Sequence, residues 1–535
     1  MPERVLKNSS YLNSKSTVGT QTRVKDVSST SGICSLCIRN CPFICEVALS
    51  TFRGREALYP EPKQFGFSTA GALKDFRLDW SDFNILSSLF KAEGIEMNPD
   101  LTMFQNVNVE SKVAGIPLRM PIMAGAFGST EVARRNWAGL AIGAALAGVT
   151  VTIGENVCGM DSEAKFTRGK ITHSAELKRR VETYRSFWDG KYGDLVVQTN
   201  IEDQRLGVDV YALSKLEVKI IERKWGQGAK AIGGEVRIRD LKKALMVKNR
   251  GYFVFPDPEN ETVQEAFKDG VFQTFERHSR VSTPTQKSFH EDIDWLRSQG
   301  AKHVFLKAGA YRPSAVALTM KFASETKIEA VTFDGAGGGT GMSPVPMLDE
   351  MNTPTVYLEA QVLKCAEILK KKGKHVPDIM IAGGFTKESQ LLKALAMSNF
   401  GNGPYVKAVL MARSALLSVM KSSYFVELSE NGKLPRIFAE RYGLSPDKFF
   451  IATPELKTAY GERFKDIPWQ AVGFYTYLNE RLKVGLMQLL AGTRKWKLDL
   501  LDRNDLVALT ERASKVTGIP LVEDAEKDAI ERILD

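Results

Sequence analysis

The chain has 535 residues, 43% hydrophobic and 25% charged, enough for a large core without disulfide or metal staples. A net charge of +10 permits attraction to an acidic partner or substrate, but Lys and Arg are scattered rather than striped among aromatics, which argues against nucleic-acid binding. No apolar run approaches the ~18 residues of a membrane span, and the Ser-, Thr-, Lys- and Arg-rich N-terminus lacks an apolar signal core, so no membrane association and a cytoplasmic location are expected.

In chain order, the first segment is residues 1–65. It holds Cys34, Cys37, Cys41 and Cys45, spaced C-x2-C-x3-C-x3-C with Pro42 after the third. Crowded thiols in a Cys-poor chain point to a metal site in a reducing compartment rather than a disulfide framework. Residues 66–118 lead into the part that follows.

Over residues 119–420, short buried-strand runs alternate with helical patterns. The runs are PIMAGAF, TVTIGEN, DLVVQTN, VKIIER, HVFLKAGA, EAVTFDGAGGG, DIMIAGGF and AVLMARS. Between them, apolar residues recur at three- and four-residue spacing in EVARRNWAGLAIGAALAG, RPSAVALTMKFAS, TVYLEAQVLKCAEILKKK and ESQLLKALAMS. Near-continuous apolar strands separated by helices imply a parallel sheet, and eight such units imply an α/β protein with a closed (β/α)8 TIM barrel. Residues 235–300 form an insertion in which PDPENE and the Ser/Thr-rich stretch near Ser282 read as turns. Residues 421–535 are a mostly helical extension, with helical patterns in DLVALTERASKV and EDAEKDAIERIL, expected to pack outside the barrel.

In such a barrel, catalytic and ligand groups sit where strands run out into loops. The unusual residues collect there: Gly125, Ala126 and Gly128 after the first run, and Glu155 and Asn156 after the second. Gln198 and Asn200 close the third, and Lys224, Gln227 and Lys230 follow the fourth. Lys307 ends the fifth, Asp334 opens a glycine-rich loop after the sixth, Gly383 and Gly384 follow the seventh, and Arg413 the eighth. Glycine and asparagine also make ordinary turns, so no single loop decides the matter.

The loop DGAGGGTGMSP holds Gly335, Gly337, Gly338, Gly339, Thr340 and Gly341. Bare backbone lets N–H groups approach a phosphate or a planar ring. The loop is neither a Walker motif nor a dinucleotide fingerprint. Phosphate sites in these barrels lie after strands seven and eight, where Arg413 adds a charge-assisted donor. A flat cofactor with one phosphate suits this layout, its ring at the mouth and its phosphate at Gly383, Gly384 and Arg413. FMN is the expected cofactor.

DGAGGGTGMSP resembles the flavin-domain signature of glutamate synthases, approximately DGxxGGTGASP. IMAGAFGSTEVAR, TIGEN, VVQTNIEDQRLGV and KWGQGAKAIGG are similar, in the same order, to other segments of that family, and the resemblance covers roughly residues 100–420. It implies an FMN-binding barrel that reduces 2-iminoglutarate, formed from 2-oxoglutarate and ammonia, to L-glutamate. It also implies that Gln198, Lys307 and the loop Asp334 to Gly341 hold the flavin, and that Lys224, Gln227 and Lys230 meet the carboxylates of the oxo-acid. Glu155 and Cys158 join them as candidate catalytic residues near the second strand exit, whereas Cys365 on a helix reads as a small hydrophobe.

Beside a flavin, the four clustered cysteines suit a [4Fe–4S] cluster that passes single electrons to it, although a structural zinc ion held by four thiolates is chemically satisfied as well. The sequence departs from the family in three places. It opens Met1-Pro2 without a glutaminase domain, its cysteine cluster precedes the barrel, and TIGEN and AKAIGGE differ from the family's substrate loops. The expected partners are therefore a ferredoxin-like or NAD(P)H-oxidising electron donor and a glutaminase subunit supplying ammonia, around a homo-oligomer. Reduction of a different imine, C=C or C–S substrate, and an electron-relay role, stay open on the sequence.

Overall fold

The computed structural model describes residues 38–55, 72, 74–228, 230–339 and 342–535. Eight parallel strands close into a barrel: β1 (Ile122–Phe127), β2 (Thr150–Ile153), β3 (Leu195–Thr199), β4 (Ile220–Lys224), β5 (His303–Ala308), β6 (Ala330–Asp334), β7 (Asp378–Ala382) and β8 (Val406–Met411). Each lies on the expected apolar run, and each pairs with its sequence neighbours, β8 closing on β1. One long helix follows each strand: α1 (Trp137–Leu146), α2 (Ala175–Arg185), α3 (Val208–Leu216), α4 (Gln286–Ser298), α5 (Pro313–Glu325), α6 (Thr355–Lys371), α7 (Glu388–Met397) and α8 (Arg413–Glu430). The helical pattern ahead of α1 breaks at Asn136, leaving Glu131–Arg135 as a separate turn capped by Thr130.

The period of two along a strand sorts the side chains into two cores. Outward residues such as Val151, Val197, Ile221 and Leu306 join the large core under the helices. Inward residues Met123, Val196, Ile220, Phe305, Ala330, Met380 and Ala408 fill the lower barrel. The hairpin of Ser111–Val113 and Ile116–Leu118 plugs this end, with Val113 and Leu118 buried in the same cluster. One step further along the same strands, inward positions turn polar: Gln198, Glu222, Lys307 and Thr332, all buried. The packed floor is thus apolar and the layer beneath the mouth is not.

The insertion after β4 is a small antiparallel sheet, Glu235–Ile238 beside Phe275–His278 beside Phe253–Phe255, with helices Leu241–Asn249 and Glu261–Lys268. PDPENE and the Ser282 stretch are turns and loop, as the sequence indicates. The C-terminal extension packs outside the barrel through α9 (Trp469–Tyr475), which lies on α1 and α8. Gly139 and Gly143 make this contact: a Cβ on Gly139 would sit 2.7 Å from Gln470 Cβ, and one on Gly143 2.9 Å from Phe474 Cδ1.

The stretch expected to be helical at DLVALTERASKV divides. Leu506–Ala508 is a strand, antiparallel to Phe83–Ile85 of the lead-in, and all three residues are buried between layers. The helix starts only at Glu511, after Thr510 accepts the Ala513 N–H at 3.2 Å as its cap. A buried partner strand outweighs local helical spacing here. EDAEKDAIERIL is helical over Lys527–Leu534.

Candidate active site at the barrel mouth

Alternation carries side chains up from the polar layer to the mouth. On β4, Ile220, Glu222 and Lys224 share the inward face, and on β6 Ala330, Thr332 and Asp334 do. Gln198 Nε2 donates to Glu222 Oε1 at 2.5 Å, and Thr332 Oγ1 lies 3.5 Å from Glu222 Oε2. Burial pushes the Glu222 carboxyl up, against Lys307 and Gln198, which favour its charged form. Gln198 Oε1 is buried and has no hydrogen-bond partner among the described residues. Above this layer Lys307 Nζ sits 3.5 Å from Asp334 Oδ2, and Lys224 Nζ 3.6 Å from Glu155 Oε2 and 3.0 Å from Gln227 Oε1.

These groups set one another's charge. Burial opposes ionisation of Glu155, yet Lys224, its own backbone N–H, Lys307 and Arg277 outweigh it and hold the carboxyl below its ordinary range. Burial lowers Lys224, partly offset by Glu155, and lowers Lys230, partly offset by Glu235. Lys230 reaches Glu235 at 2.8 Å and the Met342 carbonyl at 3.1 Å. A cleft opens among Glu155, Lys224, Gln227, Lys230, Gly234 and Arg280. It joins three of the residues expected to bind carboxylates to one of the expected catalytic acids.

The glycine-rich loops meet one another. A Cβ on Gly228 would lie 1.9 Å from the Gly335 carbonyl oxygen, one on Gly337 2.5 Å from that of Gly383, and one on Gly335 2.4 Å from Thr355 Oγ1. Gly338 packs on the carboxyl of its own Asp334. The bare backbone at these positions therefore lets the loops after β4, β6 and β7 stack against each other, rather than leaving all of them open to a ligand. Gly384 is different: φ is +99° and the nearest atom to its Cβ position, Gly337 Cα, is 3.6 Å away. Beside that loop, α8 begins at Arg413 with no side-chain cap. The Arg413 guanidinium has no hydrogen-bond or ionic partner among the described residues. Burial lowers its pKa. An open glycine, a helix N-terminus and a guanidinium with no partner among the described residues are groups that could hold an anion.

Other expected residues are placed differently. Asn156, in the left-handed region at φ +64°, is buried, and its polar atoms are engaged by protein: its N–H by Asp203 at 2.9 Å, its Oδ1 by Tyr252 Oη at 3.1 Å and its Nδ2 by Ser279 Oγ at 3.4 Å. Burial raises Asp203, against those backbone donors, to about 7. Cys158, instead of facing the mouth, is fully buried in the outer core, where burial pushes its thiol up. Gly125 has φ +129°, and its Cβ position is 2.8 Å from the Thr152 carbonyl, so this glycine serves the β1–β2 contact; Ala126 is partly exposed beside it. Cys365 is half-buried against the core. Thr340 and Gly341 lie outside the described residues, as do Cys34 and Cys37.

Cys41 and Cys45 are free thiols, Cys45 at the N-cap of the helix Glu46–Arg53. Among the described residues no three His, Cys, Asp or Glu side chains gather as a metal site. After this helix, Arg55 reaches the insertion: its Nη2 is 2.7 Å from Glu276 Oε2, and its guanidinium stacks 4.2 Å over the Phe255 ring. In the lead-in, Ala72 touches the glycine loop, its N–H donating to the Ala336 carbonyl at 3.1 Å.

Sequence reasoning missed Glu222, Arg277, His278 and Glu235. Glu222 was accessible, because a carboxylate between Ile220 and Lys224 on an inward face is a buried charge. The others come from the insertion, whose sheet register no local pattern reveals.

The fold and the mouth together define a (β/α)8 protein with a charged, cleft-bearing mouth. Residues 280–418 match the family model described as the conserved region in glutamate synthase. That span holds β5 to β8, with Lys307, Asp334, the glycine loop, Gly384 and Arg413. Among solved structures, an active chimera of (S)-mandelate dehydrogenase is 17% identical over 80% of this chain and 88% of that one, with a TM-score of 0.41. A soluble mutant of the membrane-associated (S)-mandelate dehydrogenase from Pseudomonas putida is 15% identical over 80% and 88%, also at 0.41. A mandelate oxidase carrying a monooxide FMN adduct is 11% identical over 79% and 87%, at 0.39. No curated protein matches the chain.

Proposed function

We propose that this protein is an FMN-dependent oxidoreductase of the glutamate synthase class, acting on an imine derived from a 2-oxo dicarboxylic acid and ammonia. The observation that carries the reading is that the glutamate synthase region falls on β5 to β8, the half of the barrel that carries the open Gly384, the unpartnered Arg413 and Lys307. The donor set fits FMN. Arg413, the first N–H groups of α8 and Gly384 would take its phosphate, Lys307 would balance negative charge on the reduced ring, and Gln198 offers a buried acceptor without a partner. When bound, FMN supplies hydride transfer and stores electrons that arrive singly.

The chain's own residues do the rest. Lys224, Gln227 and Lys230 offer two ammonium groups and an amide in one cleft, suited to the two carboxylates of 2-oxoglutarate. Reduction of an imine carbon leaves its nitrogen in need of a proton. Lys224, lowered by burial, is suited to deliver one, and the ionised Glu155 3.6 Å away favours its recharging from solvent. Cys34, Cys37, Cys41 and Cys45 would hold a [4Fe–4S] cluster fed by ferredoxin or an NAD(P)H-oxidising partner.

The test is protein purified without oxygen, assayed for FMN, iron, sulfide and zinc per chain, then supplied with reduced ferredoxin, ammonia and 2-oxoglutarate. Bound FMN and glutamate formation are expected. Protein that is colourless and refuses added FMN would end the reading. Flavin reoxidation by some other acceptor only would move the substrate to a different imine or C=C.

A further inference from the structure

The sheet of the insertion carries a line of charged side chains that ends at the cleft. Glu235 pairs with His278 across the ladder, and Glu276, two residues before His278, shares that face. Lys230 Nζ is 2.8 Å from Glu235 Oε2, and Glu235 Oε1 is 3.1 Å from His278 Nδ1. His278 Nε2 is 3.0 Å from Glu276 Oε2, the oxygen that Arg55 Nη2 also approaches, at 2.7 Å. Among the described residues the imidazole also meets Arg55 Nη2, 3.3 Å from Nε2, and the Phe253 ring, 5.9 Å between centroids; Arg237 stands opposite Glu276 in the ladder.

Glu235 is one carboxylate serving two groups that carry positive charge. A protonated imidazole donates from both nitrogens and ties Glu235 to Glu276, whereas a neutral one donates from a single nitrogen. In the first state the charge of Glu235 is divided between His278 and Lys230, and more of the Lys230 field is left for the cleft. In the second, the imidazole no longer brings a positive charge to Glu235, even where Nδ1–H still donates to it, and more of the carboxylate's charge falls on Lys230. We propose that His278 is a positioning residue for anion capture: by sharing Glu235 with Lys230, it sets how strongly Lys230 attracts a carboxylate entering the mouth.

The inference rests on the reading of Lys230 as a carboxylate-binding residue. Burial disfavours the His278 cation, but its hydrogen bonds to Glu235 and Glu276 prevail and hold its pKa above the ordinary value, so the change falls on the alkaline side of a free histidine. Arg55 competes for Glu276 at the same point. It links the setting to the segment that bears Cys41 and Cys45.

Two measurements on the full chain decide it. The chain has five histidines, so the His278 imidazole can be titrated by NMR with histidine-labelled protein. Its midpoint should fall in Glu235→Gln and rise in Lys230→Met, where the cation that competes with His278 for Glu235 is removed. A midpoint that Lys230→Met leaves in place overturns the proposal. Calorimetry with 2-oxoglutarate should show affinity weakening about fivefold as pH rises through that midpoint, and no such weakening in His278→Gln. Parallel profiles for the two proteins overturn it, and unchanged thermal unfolding of His278→Gln excludes a merely structural effect. Absence of 2-oxoglutarate binding at every pH would sink the substrate reading instead, and the imidazole titration would still decide the coupling.

Discussion

Glu359 on α6 is fully buried, and neither of its carboxyl oxygens has a hydrogen-bond partner among the described residues. Burial pushes its pKa well up, and Arg503 opposes this only through space. That guanidinium is spent on the Met397 and Thr517 carbonyls. The sign follows from linkage: the folded state keeps a proton that the unfolded state releases at the ordinary carboxyl pKa, so stability falls as pH rises above that value until the folded group also ionises. Glu359→Gln keeps the shape without that cost. It should gain roughly 1–3 kcal/mol at pH 8 and flatten the upper part of the stability profile. Chemical denaturation of both proteins at pH 5 and pH 8 checks this, and equal losses between the two pH values would refute it. At the mouth, Lys307→Ala removes the cation beside Asp334 and, on the proposed function, should release FMN during gel filtration or lower its potential. An unchanged flavin content and potential would count against Lys307 as a flavin residue. Lys224 gives a pH prediction of its own. As a proton donor it must be charged, and burial lowers its pKa, so turnover should decline with rising pH below the ordinary lysine range. A rate that stays flat to pH 10 would exclude it from that role.

At the scale of elements, the barrel was legible because its strands are buried on both faces and read as short, near-continuous apolar runs such as TVTI and DIMIA. The alternation inside them also put Gln198 and Lys307 at strand exits. What spacing did not reveal was how loops pack. Gly335, Gly337 and Gly228 look identical in sequence to glycines that face a ligand, and only the fold shows that their missing Cβ atoms make room for another loop's backbone or, at Gly335, for Thr355 at the start of α6. Gly337→Ala therefore tests packing. Its Cβ would lie 2.5 Å from the Gly383 carbonyl oxygen, a backbone atom that cannot turn away. The substitution should part the loops after β6 and β7, cost about 1–3 kcal/mol and, on the proposed function, weaken retention of a phosphate-bearing cofactor. Full stability with normal cofactor content would show that the loops tolerate separation. Likewise Leu506–Ala508 reads as helix because the four-residue spacing is local, while the strand it becomes depends on Phe83–Ile85, more than four hundred residues earlier in the chain.

At the scale of the molecule, the segment before the barrel and the insertion within it form one route to the mouth. The helix Glu46–Arg53 carries Cys45 at its cap, Arg55 follows it onto Glu276, and the line through His278 and Glu235 ends on Lys230 in the cleft. If the four cysteines hold a cluster, electrons enter on the side of the barrel where the proposed substrate lysines lie, and the two tasks of the N-terminal segment separate by experiment. Cys37→Ala should abolish iron and sulfide but leave the barrel, its core, Gly384 and Arg413 untouched, because β5 to β8 and α8 form without that segment's thiols. FMN should therefore remain bound. Turnover driven by reduced ferredoxin should fall at least tenfold, while turnover driven by a small reductant that reaches the flavin directly should persist. Arg55→Ala, which keeps every cysteine, should keep iron and ferredoxin-driven turnover and change only the pH dependence of oxo-acid binding. If Cys37→Ala retains its iron, the cluster assignment to these cysteines is lost; if zinc is found in place of iron, the cysteines form a structural site, and electrons must reach the mouth from a partner that meets the barrel elsewhere.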